Sequence, residues 1–439
     1  MREETQLTRR TVLRSAAGLA AGGALTRALP AWARPVAQLT ALRKPDSRPF
    51  PHLPAGHESL PEIRHVVVLM LENHSFDNLL GSLRGVDGLS GHDWNPDAGG
   101  NRVYATHAPS PCQLDKVPSQ SWNASHQSYD GGRNDGFVLA SGPTAMWFWN
   151  KSDLPFTYAL AKHFPVGERY FCSVLAQTYP NRRFLFTGTA SGTIATDNTT
   201  FAISAANGTI FDRMDAHRIS YRGYFENLPS WFILPNVLRN PAQTHRALHI
   251  SRFYADAAAG RLPQVSILDP DYNTTSEENP QDIQVGERFV ASVCHALMRS
   301  PNWKNTALFL TYDEHGGYYD HVPPPRAIKP DSIAPRTASG DAPGAYDRYG
   351  FRVPLIVVSP WARARHVSRV VQDHTSILAF IERKWNLPAM TWRDANADPM
   401  LDYFDFRAPA FAKPPRLPAA PALAPGLAQC TAAGLTPPL

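Results

Sequence analysis

The chain has 439 residues, 43% hydrophobic and 18% charged. That balance excludes a disordered or coiled-coil protein and fits one large α/β domain or two or three ordinary ones. Forty prolines against 28 glycines set much of the chain in fixed loops and exclude a tightly wound helical bundle. The formal net charge is +5, but residues 1–33 carry five arginines and two glutamates, and without them the net is +2. A nearly neutral body lacks the concentrated cationic face that a nucleic-acid partner requires.

The N-terminus reads as an address. Arg9-Arg10 and Arg14 precede a small, apolar run from Ser15 to Leu29, and Ala31-Trp32-Ala33 follows as a cleavage site. This is the layout of a twin-arginine signal peptide over residues 1–33. It implies the twin-arginine export machinery as a partner and a periplasmic or secreted bacterial location. A membrane anchor is the competing reading, but the run is broken by Arg27 and falls short of the ~20 residues that span a bilayer. Four cysteines follow, Cys112, Cys172, Cys294 and Cys430, with no CxxC pair. A zinc–thiolate site is therefore not expected. Export permits disulfides, and full pairing would allow three connectivities.

Residues 34–61 are polar and Pro-rich and read as a leader arm; the folded region runs from Glu62 to Arg407. Its short apolar runs predict buried parallel strands at His65–Leu71, Val265–Leu268, Thr306–Thr311 and Val353–Val358. Apolar spacing near three and four predicts helices over Phe156–Phe164, Ile283–Met298 and Thr375–Trp385, the last capped within Asp373–Ser376. Strands alternating with helices give a doubly wound α/β sheet. Residues 408–439, dominated by Ala, Pro and Leu, read as a loosely attached tail. There is no internal repeat.

In such sheets ligands bind beyond the carboxyl ends of the strands. The first strand runs into Glu72-Asn73-His74-Ser75-Phe76-Asp77-Asn78, the third into Tyr312-Asp313-Glu314-His315-Gly316-Gly317, and Val265–Leu268 into Asp269-Pro270-Asp271. Solvated loop acids or helix caps explain one such edge. Several at matched strand ends favour a bound metal, because crowded carboxylates repel and are costly to desolvate. Oxygen donors suit Ca, Mg or Mn better than a thiolate-type zinc site. Thr178-Tyr179-Pro180-Asn181-Arg182-Arg183 precedes an apolar Phe184-Leu185-Phe186. Pro180 suits a first helical turn, so Thr178 stands at a helix start that favours an anion, with Arg182 one turn on to clamp phosphate oxygens. A capping Thr before Pro is common, and this feature alone is weak.

Together, Glu-Asn-His-Ser-Phe-Asp-Asn (72–78), Thr-Tyr-Pro-Asn-Arg (178–182), Tyr-Asp-Glu-His-Gly-Gly-Tyr-Tyr-Asp-His-Val-Pro-Pro-Pro (312–325) and Asp-His-Thr-Ser (373–376) carry a resemblance. The chain resembles, over residues 62–407, the bacterial phosphoesterase family that groups phosphatidylcholine-type phospholipases C with a class of acid phosphatases. The resemblance implies an alkaline-phosphatase-like three-layer α/β sandwich around a mostly parallel sheet. It implies one divalent ion (Ca, Mg, Mn or Zn) on Glu72, Asn73, Asp313 and Glu314, with Thr178 as ligand and nucleophile. His126 matches a family histidine facing the phosphate. A second family histidine, in a Glu-His-Pro context, is replaced here in Glu278-Asn279-Pro280. Asn279 donates a hydrogen bond to substrate but moves no proton, which leaves His126, His315 or His321 to supply it. His321 and His374 stand between structure and function, and His74, where the family often has Arg, reads as structural.

The resemblance thus implies hydrolysis of phosphate esters through a phosphothreonine intermediate. A phospholipase C acting on phospholipid diesters is the first expectation, an acid phosphatase acting on small monoesters the alternative. Thr178–Arg182 is also similar to the C-x-P-x-R signature of sulfatases, but those need Cys or Ser where Thr178 stands, so phosphate is favoured over sulfate. A non-catalytic exported binding protein is the remaining rival, and the intact motif residues argue against it. Trp147-Phe148-Trp149 reads either as a core plug or as a lipid contact that cages a choline ammonium during transient membrane-surface contact.

Overall fold

The computed structural model describes residues 42–112 and 117–422. The proposed signal peptide and Cys430 lie outside them. One eight-stranded sheet organises the chain: β1 (His65–Leu71), β2 (Val166–Gly167), β3 (Tyr221–Phe225), β4 (Ala247–His249), β5 (Val265–Asp269), β6 (Thr306–Tyr312), β7 (Leu355–Val358) and β8 (Val367–Ser368). Their spatial order is β8-β2-β7-β6-β1-β5-β3-β4. Every neighbouring pair is parallel except the two that β7 makes, with β6 and with β2.

The apolar runs become the central strands because both sheet faces are covered. All seven residues of β6 are buried, and all but the first of β1. Side chains alternate along β3: Tyr221 meets Phe211 of the helix Ile210–Ala216 at 5.2 Å, while Tyr224 meets Phe253 of the helix Ile250–Ala258 at 5.5 Å. Phe309, on the Tyr221 face by register, meets Phe380 of the helix His374–Trp385 at 5.1 Å. Helices therefore lie on both faces, giving a three-layer α/β sandwich around a mostly parallel sheet.

The last predicted strand differs in direction. Leu355–Val358 is antiparallel to β6. An apolar run reports burial on two faces and is silent on direction. No helix crosses between β6 and β7, so the chain re-enters the sheet from the edge where β6 left it. The predicted helices form as Pro155–His163, Ile283–Arg299 and His374–Trp385, the last with an Asp373/Ser376 capping box.

The described part of the Pro-rich arm is tied to the domain by Asn386, the left-handed C-cap of the helix His374–Trp385. Its Nδ2 donates to the carbonyls of Phe50, Leu53 and Pro54, and its Oδ1 accepts from Phe50 N. In the Pro/Ala-rich segment Phe411 is buried against Phe164, and its carbonyl accepts from Trp303 Nε1. Cys112 is disulfide-bonded, whereas Cys172 and Cys294 are free and buried, so the four cysteines do not pair fully. No helix among the described residues is long and apolar enough to cross a membrane.

Candidate active site

Register brings the acidic motifs together. Leu71 pairs with Tyr312, so the next residues, Glu72 and Asp313, leave adjacent strands side by side. Asn73 takes a left-handed turn (φ 69°), and its N–H donates to Asp313 Oδ1 at 3.1 Å. The loop after β6 presses on that turn. A Cβ on Gly316 (φ 65°) would lie 1.9 Å from the Asn73 carbonyl oxygen, so only glycine fits. Thr178 is the first residue of the helix Thr178–Thr187, and its Oγ1 lies 3.5 Å from Asn73 Oδ1. Asn181 fixes the approach to that helix by accepting from Ser173 N and Val174 N.

Thr178, Glu72, Arg182, Tyr272 and Glu278 border one cavity of about 300 Å³. Arg182 was expected to clamp substrate phosphate. Instead its buried guanidinium donates to Asp313 Oδ2 (3.0 Å), Tyr272 Oη (3.0 Å) and the Leu71 carbonyl (3.3 Å), and it lies within 3.8 Å of Glu72 and 3.6 Å of Asp269. Three of its N–H groups are thus engaged by protein, and the side chain lies among the acids at the border of the cavity. One cation thus serves Glu72, Asp269 and Asp313, with Glu278 and Glu314 beside them. Burial, then the neighbouring Glu278, pushes Glu72 well above the usual carboxylate range. Burial, then Asp313, does the same to Glu314. Burial brings Glu278 up to about 7.

This is a centre short of positive charge. Glu72 Oε2 and Glu314 Oε1 are buried and without a hydrogen-bond partner. Orphaned carboxylate oxygens, an amide oxygen and a hydroxyl, with no thiolate or imidazole among them, fit a hard divalent cation. A tighter group exists elsewhere: Asp77, Asp320 and His321 bring ligand atoms within 4.8 Å of one another. Arg352 already fills it, at 2.9 Å from Asp77 and 2.8 Å from Asp320. Its acids need no further cation.

The candidate histidines do not meet Thr178. His126 borders a separate pocket of about 130 Å³, its Nδ1 2.7 Å from the Trp122 carbonyl and its ring 4.2 Å from Trp122. His315 is buried against Phe351, with Nδ1 3.0 Å from Glu314, and burial drives it down to about 3, so it is a neutral prop. His321 faces Asp77 at 2.6 Å and Asp87 at 3.2 Å, and the Asp77 contact raises it to about 9 against the opposing effect of burial. His374 holds the Asp313 carbonyl at 2.7 Å, and His74 lies between Asn78 and the Glu277 carbonyl. Asn279 does not border the cavity; its Oδ1 accepts from Tyr318 Oη at 2.6 Å. Its neighbour Glu278 does border it, and so does Tyr272. Neither was singled out in the sequence, although Glu278 directly precedes the expected position. Trp149 is buried, Trp147 and Phe148 are half-buried in a strand that pairs with Thr106–His107, and none of the three borders this cavity.

The family model described as "Phosphoesterase family" matches residues 63–388. Non-specific phospholipase C6 of Arabidopsis thaliana is 32% identical over 381 residues, 78% of this chain and 72% of that protein. Phospholipase C B of Mycobacterium tuberculosis is 30% identical over 427 residues, 82% of this chain and 81% of that protein. A solved structure of a protein in the alkaline phosphatase superfamily from Vibrio parahaemolyticus overlaps 79% of this chain and 71% of its own, at 9% identity and a TM-score of 0.41.

Proposed function

The chain belongs to the phosphoesterase family and is a hydrolase of phosphate esters; on that premise we propose that it is an exported, metal-dependent phospholipase C that works through a phosphothreonine. The observation that carries the reading is Thr178 Oγ1 at a helix start, 3.5 Å from Asn73 Oδ1, in a cavity whose acids are matched by a single guanidinium. Glu72, Asn73, Asp313, Glu314 and Thr178 would hold a divalent ion. Bound there, it supplies charge to the phosphoryl oxygens and acidity to the Thr178 hydroxyl.

Thr178 Oγ1 gives up its proton and adds to phosphorus in line, and the bond to the leaving alcohol oxygen breaks as that oxygen takes up a proton, so that the two transfers balance. Water then attacks the phosphothreonine, releases the phosphorylated head group and restores the hydroxyl. Arg182 holds the acids in register throughout. The relatives, which are named phospholipase C, support the lipid substrate. The twin-arginine pattern of residues 1–33 and the Cys112 disulfide, of a kind that an oxidising compartment sustains, support export.

Purified protein assayed on p-nitrophenylphosphorylcholine, p-nitrophenyl phosphate and phosphatidylcholine tests this. We expect diester hydrolysis that chelator abolishes and a divalent ion restores. Hydrolysis of the monoester alone would replace the reading with an acid phosphatase. Turnover indifferent to chelator would end the metal assignment.

A further inference from the structure

The cavity lining is chemically mixed: Thr178, Glu72, Arg182 and Glu278 supply polar groups, and Phe201, Leu228, Phe232 and Ile233 supply an apolar wall. Phe201 is 39% exposed and Leu228 51% exposed. Single exposed apolar residues need no explanation, but these two converge with Phe232 and Ile233 on the cavity that holds the reactive hydroxyl.

The apolar wall is tied to the polar groups. Asn227 Oδ1 accepts from Leu228 N (2.8 Å) and Tyr272 N (3.2 Å), and Asn227 Nδ2 donates to Asp271 at 2.8 Å. Ser230 N donates to Asp269 Oδ2 at 2.9 Å. Asp269 and Tyr272 in turn carry Arg182. On the other side, Phe201 meets the ring of Tyr179, the residue after Thr178, at 6.1 Å.

We propose that Phe201, Leu228 and Phe232 receive the acyl side of a phospholipid diester, so that the diacylglycerol leaves along this wall. The proposal rests on the phosphoesterase reading of Thr178 and names where the substrate's alcohol lies. A cavity of about 300 Å³ is at the lower limit for a drug-sized ligand. It takes a phosphoglycerol with the first methylenes, and the rest of each chain stays in the lipid surface, against the exposed faces of Phe201 and Leu228. Shape selection by an apolar wall of this kind is worth about 10- to 200-fold per methylene-sized contact.

The test compares long-chain phosphatidylcholine vesicles with water-soluble p-nitrophenylphosphorylcholine for the wild type, Phe201→Ser, Leu228→Ser and the apolar controls Phe201→Leu and Leu228→Met. Both positions are partly in water, so the serine variants fold, and thermal melting checks this. Expected is a loss of kcat/KM of about tenfold or more on vesicles for the serine variants, a several-fold smaller loss on the soluble diester, whose p-nitrophenyl group lies at the alcohol side but carries no acyl chains, and recovery in the apolar controls. Equal loss on both substrates, or no loss on vesicles, overturns the proposal. A wild type that hydrolyses neither substrate overturns the phosphoesterase reading beneath it, an outcome separate from the other two.

Discussion

Thr178 and the oxygens of Glu72, Asn73, Asp313 and Glu314 come from three places: Glu72 and Asn73 follow β1, Asp313 and Glu314 follow the adjacent β6, and Thr178 opens the helix Thr178–Thr187. The orphaned oxygens of Glu72 and Glu314 predict a ligand-linked stability. Adding Ca, Mg or Mn to chelator-treated protein should raise Tm by several degrees, and more as ion concentration exceeds its Kd. An unchanged melting curve with all three would contradict the assignment. His321 makes the pH prediction. Its folded-state value is raised from 6.5 to about 9 by Asp77, so its contribution to stability is full below 6.5 and disappears as pH rises through 9. Charged groups facing it are Asp77, Asp87, Asp320 and Arg352. His321→Gln should therefore lower Tm clearly at pH 6 and little at pH 9.5; an equal effect at both would show that the charge is not what matters. None of this residue's partners could be read from the sequence. Sequence set His126 apart by resemblance and left His315 and His321 as further candidates; the surroundings of the three, against Trp122, Phe351 and Asp77, come only from the structure.

The elements were more legible. His65–Leu71 and Thr306–Tyr312 declared themselves because a strand covered on both faces must be apolar throughout. Tyr221–Phe225 was missed because Arg222 and Gly223 interrupt its pattern; Arg222 is half-buried and pairs with the buried Asp256 of the helix Ile250–Ala258. The turn at Gly316 is the tightest joint between the two motif loops. Gly316→Ala should cost about 2 kcal/mol or more of stability and weaken divalent-ion affinity, since the added methyl lands on the Asn73 carbonyl. Calorimetric unfolding and ion titration of one sample read both effects, and a neutral substitution would mean that the loop relaxes freely.

At the scale of the molecule, the acidic edge was foreseeable and its electrostatics were not. Sequence placed Asp313, Glu314 and Glu72 after strands, but it assigned Arg182 to substrate, when the sheet topology brings it among Glu72, Asp269 and Asp313. The N-terminal arm shows the same dependence on context: Asn386 holds the carbonyls of Phe50, Leu53 and Pro54, while Gly56 N and Ser59 N donate to the Trp385 and Lys384 carbonyls of the helix His374–Trp385. Asn386→Ala should cost roughly 1–3 kcal/mol and make residues 42–61 open to proteolysis before the domain unfolds. Resistance equal to the wild type would place the arm's anchorage elsewhere. The measurement that reaches the account's centre is chemical: rapid acid quench of the working enzyme with phosphatidylcholine, followed by mass spectrometry of its peptides. Phosphocholine esterified to Thr178, absent from a folded Thr178→Val variant whose kcat has fallen roughly a thousandfold or more, is the predicted result. A Thr178→Val enzyme that still turns over near the wild-type rate, or the phosphocholine adduct on another residue, would contradict it.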